Sequence, residues 1–409
     1  MWLTPRPVDR VSGRLLVVVA LLAAVAPFAT DVYLPAFPAM TGELDASASQ
    51  VQLTLTAFLL GAGLGQLVFG PWSDRVGRRR PLIAGTAVCV VAGLAAAGAP
   101  TITVLIAARA VQGLSGAAGM VLGRAIISDV ARGREAVRAY NLTSVVMGVA
   151  PVAAPLIGSL LAAALGWRGL LLIVAGVSLV TLAAVIVVVP ETHPVRTGVP
   201  ETHPVGAAGS TERPARRTTG LTSGVFVGNT LTFVLAFAAM MAYISASPFV
   251  YQVMIGMDQV TYGLLFGGTA AAITVMSVVA ARMTRRFHAT QMLRLGVLVL
   301  LGSAVALTAF VACARPTVWL IAPLFVGVAA MGLIFGNATA LALSAVPHGL
   351  GTASAILGAS QFAAGALVSP LVGVAGEHSA IPLTVAFGTA AVLAGLACAG
   401  AARAHRRRP

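Results

Sequence analysis

The stretch "GPWSDRVGRRRPL", Gly70 to Leu82, separates two long apolar runs near residues 48–70 and 81–99. It is too short to fold alone, and it carries Arg75, Arg78, Arg79 and Arg80 beside one acid, Asp74. Each flanking run is long enough to cross a hydrocarbon core of about 30 Å as a helix. A basic turn of this length between two such runs joins two membrane crossings and keeps its arginines on one side.

Working outward, the same pattern repeats along the chain. Apolar runs occur near 13–38, 103–129, 141–164 and 168–189, and after a polar break near 222–248, 260–282, 291–312, 318–343, 352–374 and 381–402. Of the 409 residues 58% are hydrophobic and 9% charged, against about 25% charged in a soluble domain. The expected fold class is therefore an all-α polytopic membrane protein with 12 transmembrane helices, six on each side of the break. At the N-terminus, Arg6, Arg10 and Arg14 precede "AAVAPFA", which has the look of a signal peptide with its cleavage site. The apolar run from Leu15 to Met40 is too long for that, and it is read as a retained first span.

The net charge of +14 comes entirely from arginine, since no lysine exists. With the N-terminus inside, the inner segments collect Arg75 and Arg78 to Arg80, Arg132, Arg134 and Arg138, Arg196, Arg213, Arg216 and Arg217, Arg282, Arg285, Arg286 and Arg294, and Arg403 with Arg406 to Arg408. Only Arg168 and Arg315 fall outside. This asymmetry predicts cytoplasmic termini in a bacterial inner membrane and argues against nucleic acid as the partner. Cys89, Cys313 and Cys398 sit in apolar runs as packing residues, so neither a metal site nor a cofactor is expected.

The break holds a tandem duplication, "VPETHPV" at 189–195 and again at 199–205. Its composition predicts a cytoplasmic linker over 190–220 between bundles at 1–189 and 221–409, with no role for His193 or His203. The halves echo one another: "ARMTRRFHA" follows span 8 where "SDRVGRRR" follows span 2. Two facing repeats are an architecture of secondary transporters.

In "ATDVYLPAFPAM", residues 29–40, Asp31 is the one acid inside an apolar run; Asp129 marks the inner end of another. All six histidines fall in loops or tails. An acid within hydrocarbon is neutral or paired and marks a proton path, so Asp31 is the candidate proton carrier. Arg109 is the other fixed charge deep in a span, at similar depth by helical rise. The two are expected to meet, either as a proton-coupling pair or as a static pair that fixes helix register.

These residues carry a resemblance. "GPWSDRVGRRRPL" resembles the signature between spans 2 and 3 of the major facilitator superfamily, G-x-x-x-D-R-x-G-R-[RK], which implies gating roles for Gly70, Asp74, Arg75, Gly77 and Arg78, joined by Asp129. "ARAVQGLSGAAG" (108–119) is similar to the family's span 4 motif, at Arg109, Gln112 and Gly113. "GVAPVAAPLIG" resembles its antiporter motif, at Gly148, Pro151, Pro155 and Gly158, with the usual central glycine missing. "TDVYLPAFP", "AYISASPFVYQ" (242–252) and "GNATALAL" (336–343) look like the bicyclomycin and chloramphenicol resistance branch of the drug:proton antiporters.

The resemblance implies two pseudo-symmetric six-helix bundles and a proton-coupled exporter of small amphipathic drugs. Tyr33, Gln112, Tyr243, Ser247, Asn337 and Gln361, polar groups inside spans, are the candidate substrate contacts, each with interhelical hydrogen bonding as the plainer alternative. The expected partners are a small-molecule drug, protons and the bilayer, for a monomer. An importer or facilitator of a metabolite on the same fold is the alternative, and a non-transporting membrane sensor or assembly protein is one of another class. One membrane acid and no membrane histidine leave no constellation for an enzyme.

Overall fold

A computed structural model of the chain describes residues 12–131, 133–192, 220–284, 286–314, 317–346 and 350–406. The second copy of the duplicated heptad and the rest of the expected linker after Thr192 lie outside these residues, as do His193 and His203. The helices are α1 (Gly13–Asp31), α2 (Phe37–Glu43), α3 (Ala48–Val76), α4 (Arg79–Ala97), α5 (Ile102–Val130), α6 (Gly133–Val188), α7 (Gly224–Pro248), α8 (Gln259–Met283), α9 (Ala289–Ala312), α10 (Ile321–Ala329), α11 (Met331–Ser344), α12 (Leu350–Val368) and α13 (Ile381–Arg406). No strand occurs among the described residues.

Eleven helical stretches among the described residues are long and apolar enough to cross a membrane. One of them, Val145–Val188, has 44 residues, about 66 Å at 1.5 Å per residue and so about twice the hydrocarbon core. Gly166, with φ 61 and ψ −179, breaks its helical path between the spans expected at 141–164 and 168–189. The twelfth crossing is thus a reading of that break and not a separate helix.

The first span is not continuous either. Although a run over 13–38 is expected, α1 ends at Asp31 and a 3-10 turn, Leu34–Ala36, leads into α2. Pro35 has no N–H to return to the carbonyl of Asp31, so the ladder stops there. Asp31 is therefore the last residue of α1.

Local signals set the other starts. Ser12 caps α1, accepting from the Arg14 N–H at 3.3 Å. A reciprocal capping box of Ser47 and Gln50 opens α3, as such pairs do where a helix has orphan donors. Gly77 closes α3 at φ +90, a backbone region that side chains with a Cβ rarely enter.

The chain divides into two compact units. The first comprises Met1–Pro194, Ser245–Ala271 and Ser369–Ser379; the second comprises Val195–Ile244, Ala272–Val368 and Ala380–Pro409. In the first, α3 packs closely on α5, α1 on α6, and α4 on both α5 and α6. Glycines make this possible: a Cβ at Gly61 or Gly65 would strike the α5 backbone at Ala110 or Leu114, the small-residue packing usual between membrane helices. In the second, α9 is the centre, against α10, α11 and α13.

Candidate functional site

The turn between α3 and α4 is a polar knot. Arg78 donates from Nη1 to Asp74 Oδ1 at 2.5 Å and to Ser73 Oγ at 2.7 Å, and from Nε to Asp129 Oδ2 at 3.1 Å. Burial opposes the charge on Arg78, but Asp74 and Asp129 more than offset it and hold the guanidinium above its usual pKa. The side chains of Arg78 and Asp129 are 11% and 18% exposed, whereas that of Asp74 is 64% exposed. The Arg78–Asp129 pair, shielded from water, is therefore the stronger link between α5 and the turn; an exposed i,i+4 pair adds only about 0.3–0.5 kcal/mol.

Two residues that composition had assigned to the linker complete the knot. Glu191 accepts from the backbone N–H groups of Arg78 (2.7 Å) and Arg79 (3.2 Å), at the start of α4. Thr192 donates from its hydroxyl to Asp129 Oδ2 at 3.1 Å. A carboxylate at a helix N-terminus satisfies donors with no partner inside the helix. It also gives Gly77 a second reason to be glycine, since a Cβ there would collide with the Glu191 carboxylate. Glu191 was missed because a Pro- and Thr-rich stretch reads as linker; the signal available was its place immediately after the last apolar run.

Arg79, by sequence one of the arginines that set orientation, is anchored. Its Nε donates to Val189 O and its Nη2 to Ile186 O, each at 2.9 Å, which satisfies carbonyls that the end of α6 leaves open. Arg75 is exposed and makes no ion pair among the described residues. At Gly70 a Cβ would meet nothing within 4 Å, so no close packing requires a glycine there.

Asp31 is 6% exposed and Arg109 is 0% exposed. The expected pairing is corrected: the ion pairs of the described residues join Arg78 to Asp74 and Asp129, and Arg168 to Glu43, and none joins Asp31 to Arg109. Arg109 instead donates from Nη2 to Ala29 O (2.9 Å) and from Nη1 to Gln112 Oε1 (2.5 Å). Its guanidinium lies over the rings of Tyr33 (4.7 Å) and Phe58 (4.5 Å). Depth was matched, since Arg109 reaches Ala29 O, but its side-chain contact is Tyr33, and residues two apart on a helical path point about 200° apart. Arg109 Nε and Gln112 Nε2 are buried without hydrogen-bond partners.

The candidate contact residues divide between the units. In the first, the Tyr33 hydroxyl shares a hydrogen bond of 3.0 Å with Thr54 Oγ1, and Ser247 Oγ one of 3.3 Å with the Tyr262 hydroxyl. Gln112 is fully buried, and the space beside its amide nitrogen is that of Gly93 on α4; it braces Arg109 against neighbouring helices. In the second unit, Asn337 of α11 donates to Leu333 O at 2.8 Å, Tyr243 is buried on α7, and Gln361 is half-buried on α12. Unforeseen there is an aromatic group: Phe237 lies 6.3 Å from Phe335 and 6.4 Å from Phe362, ring centre to ring centre. Lone phenylalanines in apolar runs carry no periodic signal, so only packing reveals the group.

The proline and glycine array of α6 is a contact surface. A Cβ at Gly158 would collide with the carbonyl of Val32, just after Asp31. Across the same helix, Gly263 and Gly267 of α8 leave room for Ser159, Pro155 O and Leu156. Pro151 and Pro155 lie within the helical path. No group of three or more potential metal ligands occurs among the described residues.

The sequence profile of the Major Facilitator Superfamily matches residues 19–370. The chain is 35% identical over 386 residues to an uncharacterized MFS-type transporter, YdgK, of Bacillus subtilis, covering 93% of each. It is 28% identical over 383 residues to a bicyclomycin resistance protein homolog of Haemophilus influenzae, covering 92% of this chain and 93% of the relative. The crystal structure of a D-xylose-proton symporter superposes with a TM-score of 0.75 at 16% identity, over 94% of this chain and 96% of the other. The chain belongs to the Major Facilitator Superfamily, as a multi-pass transporter of the bacterial inner membrane and not an enzyme.

Proposed function

We propose that the protein exports small amphipathic drugs of phenicol or bicyclomycin type in exchange for protons, with Asp31 as the proton carrier. One observation carries the reading: a buried carboxyl group ends the broken first span without an ion-pair partner among the described residues. Ionisable groups inside a membrane protein mark ion pathways, and helix breaks at that depth serve transporters as binding points. Arg109 holds the end of α1 through Ala29 O and supplies the counter-charge as α1 and α5 shift during the cycle; its unpartnered Nε is the donor for an acceptor arriving there.

Bundles at 1–189 and 221–409, joined by the 190–220 linker, alternate access, and the knot of Asp74, Arg78 and Asp129 clamps the inner side of the first. Tyr33, Ser247, Tyr243, Asn337 and Gln361 are the polar contacts for the drug, with Gln112 acting through Arg109. The half-buried rings of Phe237, Phe335 and Phe362 fit an apolar, partly aromatic substrate. One proton driven by 100 mV and one pH unit releases about 3.7 kcal/mol, enough for a several-hundred-fold gradient of a neutral drug. A single carboxyl group suffices.

The test is Asp31→Asn, which keeps shape and removes the proton. In an efflux-deficient host the variant inserts at wild-type level but confers no drug resistance, and the purified protein shows no drug-induced proton release. Export at the wild-type rate with proton release retained would overturn the proposal.

A further inference from the structure

A cavity of about 100 Å³ lies within the second unit, between the start of α7, the start of α9, α11 and the end of α13. Its rim carries Arg294, His405 and Thr290, and its floor is formed by Leu293, Leu341 and Ala401. No acid lines it. Arg294 is exposed and makes no ion pair among the described residues, so it lines the cavity without a counter-charge there. Thr290 is the second residue of α9, and the positive end of that 24-residue helix adds to the same field.

A free guanidinium, an imidazole, a hydroxyl and a helix N-terminus select an anion, while the leucine and alanine floor selects hydrocarbon. The ligand that joins the two is a phospholipid. The cavity lies where α9 starts and α13 ends, with Arg403 next in sequence to Ala402, on the side the arginine asymmetry makes cytoplasmic. Basic pockets between membrane helices on that side bind anionic headgroups. We propose that this cavity holds the headgroup of an anionic phospholipid, its phosphate on Arg294 and His405 and its first methylenes over Leu293, Leu341 and Ala401. By bridging α9 to α13 it ties together the helices at the centre of the second unit.

The experiment uses the full-length protein in neutral detergent, with native mass spectrometry and thermal unfolding in phosphatidylglycerol, phosphatidylethanolamine or inorganic phosphate. One phosphatidylglycerol is expected to stay bound and to raise the unfolding temperature. Arg294→Gln weakens this binding about fivefold, Arg294→Lys preserves it, and Arg282→Gln, on the same side but outside the cavity, leaves it unchanged. Ala402→Leu, which fills the cavity and keeps every charge, abolishes it, so the proposal stands or falls on this variant even if Arg294→Gln fails to fold. Equal retention of phosphatidylethanolamine, equal stabilisation by inorganic phosphate alone, or wild-type binding in Ala402→Leu would overturn the proposal.

Discussion

Asp31 and Arg109 show how far a residue can be read from its neighbours in sequence. Their rarity was plain, because no other acid and no histidine or lysine competes within the apolar runs, and their depth followed from helical rise. Their separation was decided by azimuth, which requires the packing of α1 on α5. Glu191 shows the converse, a residue with no local signature that becomes an N-terminal cap because α6 ends beside the start of α4. The heptad recurs with Glu201, so the clean test replaces both acids. In Glu191→Gln/Glu201→Gln, amide exchange at Arg78 and Arg79 is expected to speed up roughly tenfold, as for bonds to a charged acceptor; unchanged protection there would show that the cap contributes nothing.

The prolines and glycines of the resistance-like motifs are visible in the sequence as residue types, but their work is done on neighbouring helices. Gly158 admits the carbonyl of Val32. Gly158→Ala is predicted to cost about 1–3 kcal/mol, the usual range for overpacking, seen as a lower unfolding temperature in detergent; an unchanged temperature would show that the two segments can move apart freely. The start of α8 is a simpler case, readable from "DQVT" at 258–261. Asp258 accepts from the Thr261 hydroxyl (2.6 Å) and from the N–H groups of Val260 and Thr261, and bonds led by Thr261 hold its carboxyl below the ordinary value of 3.8. A lowered carboxyl stabilises the helix start above its unfolded-state value and loses that contribution as pH falls through its folded-state value. Exchange protection of the first turn of α8 is therefore expected to fade below pH 3.8, and to be weak at all pH values in Asp258→Ala.

For the whole molecule, alternating access requires that some contacts break in every cycle. Within the first unit, Ser49 Oγ donates to Pro370 O at 3.0 Å, and Gln52 Nε2 donates to Ser245 O at 2.9 Å. These bonds tie α3, from the first half of the sequence, to segments of the second half. A Cβ on Gly373 would stand 2.8 Å from the Ser49 nitrogen and would collide with the Gln52 side chain, so cysteines at 49 and 373 come within bridging reach once the two segments part slightly to admit them. Oxidised Ser49→Cys/Gly373→Cys is predicted to stop drug export, with recovery on reduction; export unaffected by the cross-link would mean that these ends stay together throughout the cycle.

Membrane class, family and the rare charges are legible in the amino-acid sequence, because lipid imposes length, apolarity and charge asymmetry residue by residue. Which rare groups touch is settled by packing alone: Arg109 with Ala29 and not Asp31, Glu191 with the start of α4, and Phe237 with both Phe335 and Phe362. Those contacts depend on the rotation of each helix about its axis and on where its ladder stops. That rotation is set by packing against neighbours distant in sequence, which a single apolar run does not record.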